Sequence, residues 1–351
     1  MTHNKKSSKS EIKSNLTKSV TAVAVVSVLF ISFFAGNLIT PLAMADNGNG
    51  TNSTGNSNAN AINAAVHNNG SPNDRKAAQH TLRQTLQQDQ LTYRQAAQNA
   101  HTTYQQAVQQ ALLTYKQATQ NANNAYNQAV QQARSAYNVA ISGAHGSVTI
   151  IGPAMATRDQ AIATAQNARI TTIVTAEVAR DKAIYDSWAT HQTTVYNALA
   201  TRDGADGTAR ANFYTTIGNS TLAASAQTIG QAHVTADNSI LQARQTRITA
   251  VENAYVTKDQ AIGNAETTYT SAEDSARVTL DNGYTHDAKD WNTALQAYWN
   301  AVAPLTQTKD NAIAQANAAL TTAVGNAAAT RDQAIDQAYA TLYGAIAAAS
   351  S

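Results

Sequence analysis

Only 13% of the 351 residues are charged, about half the share of a typical soluble domain, and alanine is the largest single part of the 43% counted as hydrophobic. Alanine covers little apolar area, so this alphabet suits thin helical layers better than a thick globular core. The formal net charge of +2 comes from Lys5, Lys6, Lys9, Lys13 and Lys18 near the N-terminus; beyond residue 45 there are 19 basic against 21 acidic side chains, with no basic patch to hold a nucleic-acid backbone.

Residues 1–45 read as a secretory signal peptide: a lysine-bearing start, an apolar run from Val20 to Gly36, and small residues at Ala43 and Ala45 for cleavage ahead of Asp46. An uncleaved membrane anchor is the alternative, because about 17 apolar residues reach the lower limit for spanning a bilayer. Residues 46–74 are Asn, Gly, Ser and Ala with almost no large apolar side chain. Such a segment does not offset its ordering entropy, so a disordered linker is expected, ending where Asp74 caps a helix.

The helix expected over 75–142 carries the strongest pattern in the chain. Tyr93, Tyr104, Tyr115, Tyr126 and Tyr137 recur every eleven residues, and Ala100, Ala111, Ala122, Ala133 and Ala144 keep step with them. Eleven residues make three helical turns plus about 20°, so both columns stay on one slowly drifting stripe, as in a hendecad coiled coil. Tyr is read as the larger knob that fixes register along an alanine seam. At 1.5 Å per residue this helix would extend for about 100 Å.

After a break at Gly143, Gly146, Gly152 and Pro153, a second hendecad helix is expected over 154–203. There the column that held Tyr becomes Arg158, Arg169, Arg180, His191 and Arg202, beside Ile162 and Ile184. Gly204–Gly207 reads as a turn. A third, less regular helical region follows over 208–281, with Ile262 on its stripe and with Gly218 and Gly230 weakening it. Asp281, Asn282 and Gly283 mark the next turn. A C-terminal hendecad region is expected over 285–349, kinked near Pro304 and striped by Ile313 and Ile335.

A phrase of the type Thr-Arg-Asp-Gln-Ala-Ile ends at Ile162, Ile184, Ile262, Ile313 and Ile335, with its aspartates at Asp159, Asp181, Asp259, Asp310 and Asp332. Duplication of a unit of two hendecads accounts for it. The charged pair is read as a solvated helix face, with interhelical ion pairing as the alternative.

Chemistry finds no foothold in the sequence. Cysteine is absent, which removes disulfides, thiolate metal sites and a lipoprotein anchor. The eight histidines fall in no metal-ligand spacing, and there is no nucleophile elbow, P-loop or dinucleotide fingerprint. Acids, His and aromatics gather only at Asp281, His286, Asp287, Asp290 and Trp291, where an acidic first helical turn and an aromatic corner explain them. Neither catalytic, cofactor-binding nor metal-binding residues are assigned. The eleven-residue period resembles that of late-embryogenesis-abundant proteins, synucleins and apolipoproteins, but their stripes are flanked by Lys and Glu and this one by Gln, Asn and Thr. The resemblance is one of period alone.

The sequence therefore reads as an all-α chain of long hendecad helices forming an elongated coiled coil or helical-hairpin bundle. The expected role is that of an exported structural or protein-interaction rod, not an enzyme, of the periplasm, cell surface or extracellular matrix. Self-association or another helical envelope protein is the expected partner. No nucleic acid, cofactor or small-molecule substrate is expected, and a membrane only through the leader or by weak surface binding of the stripe. Reversible lipid-surface binding is the second reading.

Overall fold

The helical part opens at Ser71, not Asp74. The Ser71 hydroxyl accepts from the Asp74 amide at 3.2 Å and the Asp74 carboxylate accepts from the Ser71 amide at 3.3 Å, so Asp74 is the third residue of a reciprocal capping box with Pro72 at the first helical position. In a computed structural model, which describes residues 71–350, four helices follow: α1 (Pro72–Ile141), α2 (Val148–Thr216), α3 (Ser220–Asn282) and α4 (Ala288–Ser350). No strand occurs among the described residues. The leader and residues 46–70 of the expected linker lie outside them, while residues 72–74 belong to α1.

Helices this polar need somewhere to place their hydroxyls. Threonines along every helix donate back to the carbonyl four residues earlier, as in Thr81 to Ala77 at 3.1 Å, Thr172 to Ala168 at 2.8 Å and Thr228 to Ala224 at 3.0 Å. Exposed faces are thereby satisfied locally, and the narrow alanine stripe is left for packing. Ala100, Ala111, Ala122, Ala133 and Ala144 are all buried, as are Ala316, Ala327 and Ala338 on α4. Each helix packs on its chain neighbours alone: α1 on α2, α2 on α3, and α3 on α4. The described residues thus form three consecutive antiparallel hairpins, in which α2 and α3 each have two neighbours while α1 and α4 each have one.

The turns differ from the sequence expectation in instructive ways. Gly143 lies past the end of α1, and the chain reverses through His145 and Gly146 at φ 45° and 84°. Gly152 and Pro153 lie inside α2, which starts at Val148. Proline is tolerated near a helix start because only the bond to one early carbonyl is lost. Gly152 is needed there: a Cβ on it would meet the Asp281 carbonyl oxygen at 2.5 Å, so the start of α2 is pressed against the end of α3.

Gly204–Gly207 form no turn; α2 runs straight through them to Thr216, and residues 208–216 belong to it. The reversal comes at Gly218, φ 80°. There the Asn219 amide donates to the Tyr214 carbonyl at 2.9 Å and the Gly218 amide to the Thr215 carbonyl at 3.0 Å, the paired bonds of a Schellman motif. Ile217 is sealed beneath it at 2% exposure, and Asn219 caps α3 by accepting from Leu222 at 2.9 Å. α4 starts after Asp287, whose carboxylate accepts from the amides of Lys289 and Asp290 at 2.8 and 3.1 Å. It continues unbroken through Pro304. No helix among the described residues is long and apolar enough to cross a membrane.

Candidate functional site

The tyrosine column of α1 meets the arginine column of α2. Consecutive rungs place the guanidinium of Arg158 over the ring of Tyr137 at 4.7 Å, Arg169 over Tyr126 at 5.6 Å, Arg180 over Tyr115 at 4.7 Å and Arg202 over Tyr93 at 5.1 Å. The spacing of both columns is eleven residues, so in an antiparallel pair four of the five tyrosines find an Arg and Tyr104 finds a His. Each such contact is favourable by roughly 0.5–2 kcal/mol, more where water is excluded. At Tyr115 the hydroxyl also donates to Glu177 at 3.0 Å. Burial raises the Glu177 carboxyl above its ordinary range, against the pull of the Tyr115 bond and the Arg180 charge.

The fourth rung, between those of Tyr115 and Tyr93, is different. His191 faces Tyr104, with ring centroids 5.8 Å apart, and is stacked by Trp188 at 5.0 Å; His101 of α1 closes the group at 6.1 Å. Burial, and then the neighbouring His101, push the His191 ring down to about 4. The native state therefore binds fewer protons at this ring than the unfolded chain, whose ordinary value is about 6.5. Its contribution is fully present above that value and is lost as pH falls toward 4. Proton-detected titration is expected to place the His191 midpoint near 4; a midpoint at the ordinary value would show that Trp188 and Tyr104 do not enclose it.

Arg and Asp are consecutive in the repeated phrase, and consecutive residues point about 100° apart on a helix. On α2 this sends Arg158, Arg180 and Arg202 toward α1 and Asp159, Asp181 and Asp203 toward α3. The arginine Nε bonds to the following aspartate at 2.5, 2.6 and 2.7 Å respectively. The solvated-face reading fails here: Asp159, Asp181 and Asp259 are buried. It describes α4, where the side chains of Asp310 and Asp332 remain 65% and 58% exposed.

Across the α2–α3 seam the aspartates of α2 come opposite aspartates of α3. Asp159 lies within hydrogen-bond reach of Asp281, Asp203 of Asp237, and Asp181 within electrostatic range of Asp259. Burial, then the facing Asp159, raise Asp281 to about 6; burial, then Asp203, raise Asp237 to about 7; burial also raises Asp259 to about 6. Burial works to raise Asp159 too, but the Arg158 bond and the charges of Arg158 and Arg277 outweigh it and hold that carboxyl below its usual range. Between the pairs the seam is closed by Tyr185 against Tyr255 at 5.9 Å, by Gln245 donating to Thr193 at 2.9 Å, and by Asn167 donating to Ser271 at 2.9 Å.

The five tyrosines singled out from sequence face α2. Tyr93, Tyr104, Tyr115, Tyr126, Tyr137, Ile162, Ile184, Ile262, Ile313 and Ile335 are each half-buried. They form no single group: the tyrosines line one seam, and the isoleucines are spread over three helices. Asp237, Asp203, Trp188 and Tyr255 were not recognised. The available signal was the complementarity of two eleven-residue columns, Tyr on one helix and Arg on the next.

Among the described residues no catalytic constellation converges. A cleft of about 740 Å³ runs along the α3–α4 seam between Ala232 and Ala345, and its walls carry Arg247 and Arg331 but no carboxylate or imidazole to act as a base. His286, Asp287 and Asp290 are exposed; His286 bonds the Gly146 carbonyl at 2.7 Å and Tyr284 packs edge-on against Trp291, so this corner ties two turns together. No group of three or more potential metal ligands occurs among the described residues. What is defined is an all-helical protein built from consecutive packed hairpins. No protein-family profile matches the chain, and no curated protein or solved structure matches it either.

Proposed function

We propose that the chain is an exported structural or interaction protein, a helical rod or spacer whose hendecad stripes pack as an elongated coiled-coil hairpin array. The observation that carries this reading is the repetition of one contact along a whole seam: Tyr against Arg, or Tyr against His, five times from Tyr137 to Tyr93. A ladder of that kind sets length and stiffness, whereas catalysis needs groups gathered at one point. Its partners are further copies or another helical protein of the envelope or matrix. Lipid-surface binding is the weaker reading, because the apolar stripes are already used between helices.

Small-angle scattering tests the rod. A helix of 70 residues extends for about 105 Å, so the maximum dimension is expected to exceed ~100 Å. A globule of this chain length would have a radius of gyration of only ~20 Å, and finding that value would end the proposal.

A further inference from the structure

We propose that two aspartate pairs of the α2–α3 seam, Asp159 with Asp281 and Asp203 with Asp237, each hold one shared proton, and that Asp259 opposite Asp181 holds a proton of its own, so that this seam tightens in mild acid and loosens as pH rises to neutrality. The inference is independent of the rod's biological role. It starts from burial: Asp237, Asp259 and Asp281 are 8%, 4% and 3% exposed, and one carboxylate oxygen of each accepts no hydrogen bond. A buried carboxylate oxygen without a donor is costly, whereas the same oxygen carrying a proton becomes a donor to the carboxylate opposite. Two carboxyls at one site do not both ionise readily.

The surroundings do not supply enough cations to neutralise both members. Around Asp159 and Asp281 stand Arg158 of α2 and Arg277 of α3, but also Glu273 and Asp274; Tyr137 of α1 lies beneath Arg158, and Tyr298 of α4 accepts from Arg277 and donates to Glu273. Around Asp181 and Asp259 stand Arg180 and Lys258 against Glu177, with Tyr115 of α1 bonded to that Glu and Tyr185 and Tyr255 alongside. Arg247 lies beyond Tyr185, with Arg331 and Asp332 of α4 beside it. Around Asp203 and Asp237 stand Arg202 and His233 against Asp206 and, from α1, Asp89, with Arg210 beside Asp206; Tyr196 links this end to Arg244 and to Tyr339 of α4. Next to the Asp181–Asp259 pair Arg180 and Lys258 stand against three carboxyls, and in the other two groups carboxyls also outnumber the permanently charged cations, so full ionisation leaves excess negative charge between two packed helices.

The direction follows from linkage. Asp237, Asp259 and Asp281 have folded values of about 7, 6 and 6, above the ordinary aspartate value near 3.9. The native state therefore binds more protons than the unfolded chain across roughly pH 4–7, and stability falls as pH rises through that window. His191 works the other way in the lower part of it. A comparison that leaves His191 intact cancels its effect.

The test is urea unfolding of the full chain, followed by circular dichroism between pH 5 and 8.5, with a triple variant Asp237→Asn, Asp259→Asn, Asp281→Asn as the protonated mimic. The wild-type unfolding constant is expected to rise at least 10-fold from pH 5.5 to 8, and the triple variant is expected to flatten that rise and to be the more stable chain at pH 8. A wild-type constant that is flat or falls with pH, or a rise the triple variant leaves unchanged, would overturn the proposal. Should the variant not fold, carbon-detected titration of the wild-type aspartates decides: three carboxyls with midpoints between about 5.5 and 7.5 support it, and all midpoints below 4.5 sink it. Stabilisation at pH 8 by Ca²⁺ or Mg²⁺ would assign the pairs to a metal ion and overturn the shared proton.

Discussion

Tyr115→Ala is expected to lower stability by about 2–4 kcal/mol, while Gln117→Ala two residues away changes it by less than about 0.5 kcal/mol. Three losses combine at Tyr115. Its half-buried ring is removed from the α1–α2 seam, the Arg180 guanidinium at 4.7 Å loses the face it rests on, and Glu177 loses the hydroxyl that donates to it at 3.0 Å. The last loss is the most damaging for its size, because Glu177 is already penalised by burial and would be left with one partner fewer. Tyr115→Phe isolates that part and is expected to cost about 1–2 kcal/mol. Urea unfolding measures all three variants. The seam lies within one chain, so the loss should not depend on protein concentration. Equal curves for Tyr115→Ala and Gln117→Ala would show that the tyrosine column does not carry the seam.

Periodicity made the helical class and the packing faces legible because it is a local property of the chain. Tyr115 and Ala111 are placed on one stripe by helix geometry alone, and Ala111 is buried where that stripe predicts. Partnership is not local. The Arg-Asp phrase reads the same at Arg180 and at Arg331, yet Asp181 is buried and Asp332 is largely exposed. The difference is the number of neighbours: α2 is flanked on two sides, so both members of its phrase face another helix, whereas α4 has α3 alone. Nothing in six residues encodes that count. The aspartate pairs were hidden for the same reason, since each member is an ordinary charged residue until its counterpart arrives from 34 to 122 positions away in the chain. The misplaced turn has a different cause. Gly204 and Gly207 resemble a loop by composition, but an isolated helix and a helix crossing use glycine for opposite purposes, and of Gly204, Gly207 and Gly218 only Gly218 has positive φ.

Gly207→Ala is expected to destabilise the protein by about 1 kcal/mol even though alanine is the better helix former. A Cβ on Gly207 would meet the Cα of Gly230 at 2.7 Å and the Ala226 carbonyl oxygen at 3.3 Å, and a Cβ on Gly230 would meet Gly207 in the same way. Both obstacles are backbone, so no rotamer change relieves them; α2 and α3 must separate. Overpacking of this kind costs about 1–3 kcal/mol, and separation also loosens Ala226 and Ala211, which lie in one buried cluster at this end of the seam. Against it stands the gain of roughly 1 kcal/mol from replacing glycine inside a helix. Gly325 and Gly344 on α4 provide the control, because a Cβ at either meets nothing within 4 Å. Gly325→Ala is therefore expected to stabilise by about 0.5–1 kcal/mol, the opposite sign for the same chemical change. Thermal unfolding followed by circular dichroism reads both. If Gly207→Ala were as stabilising as Gly325→Ala, α2 and α3 would not cross in backbone contact at Gly207 and Gly230, and the α2–α3 register that sets the aspartate pairs opposite one another would have to be redrawn.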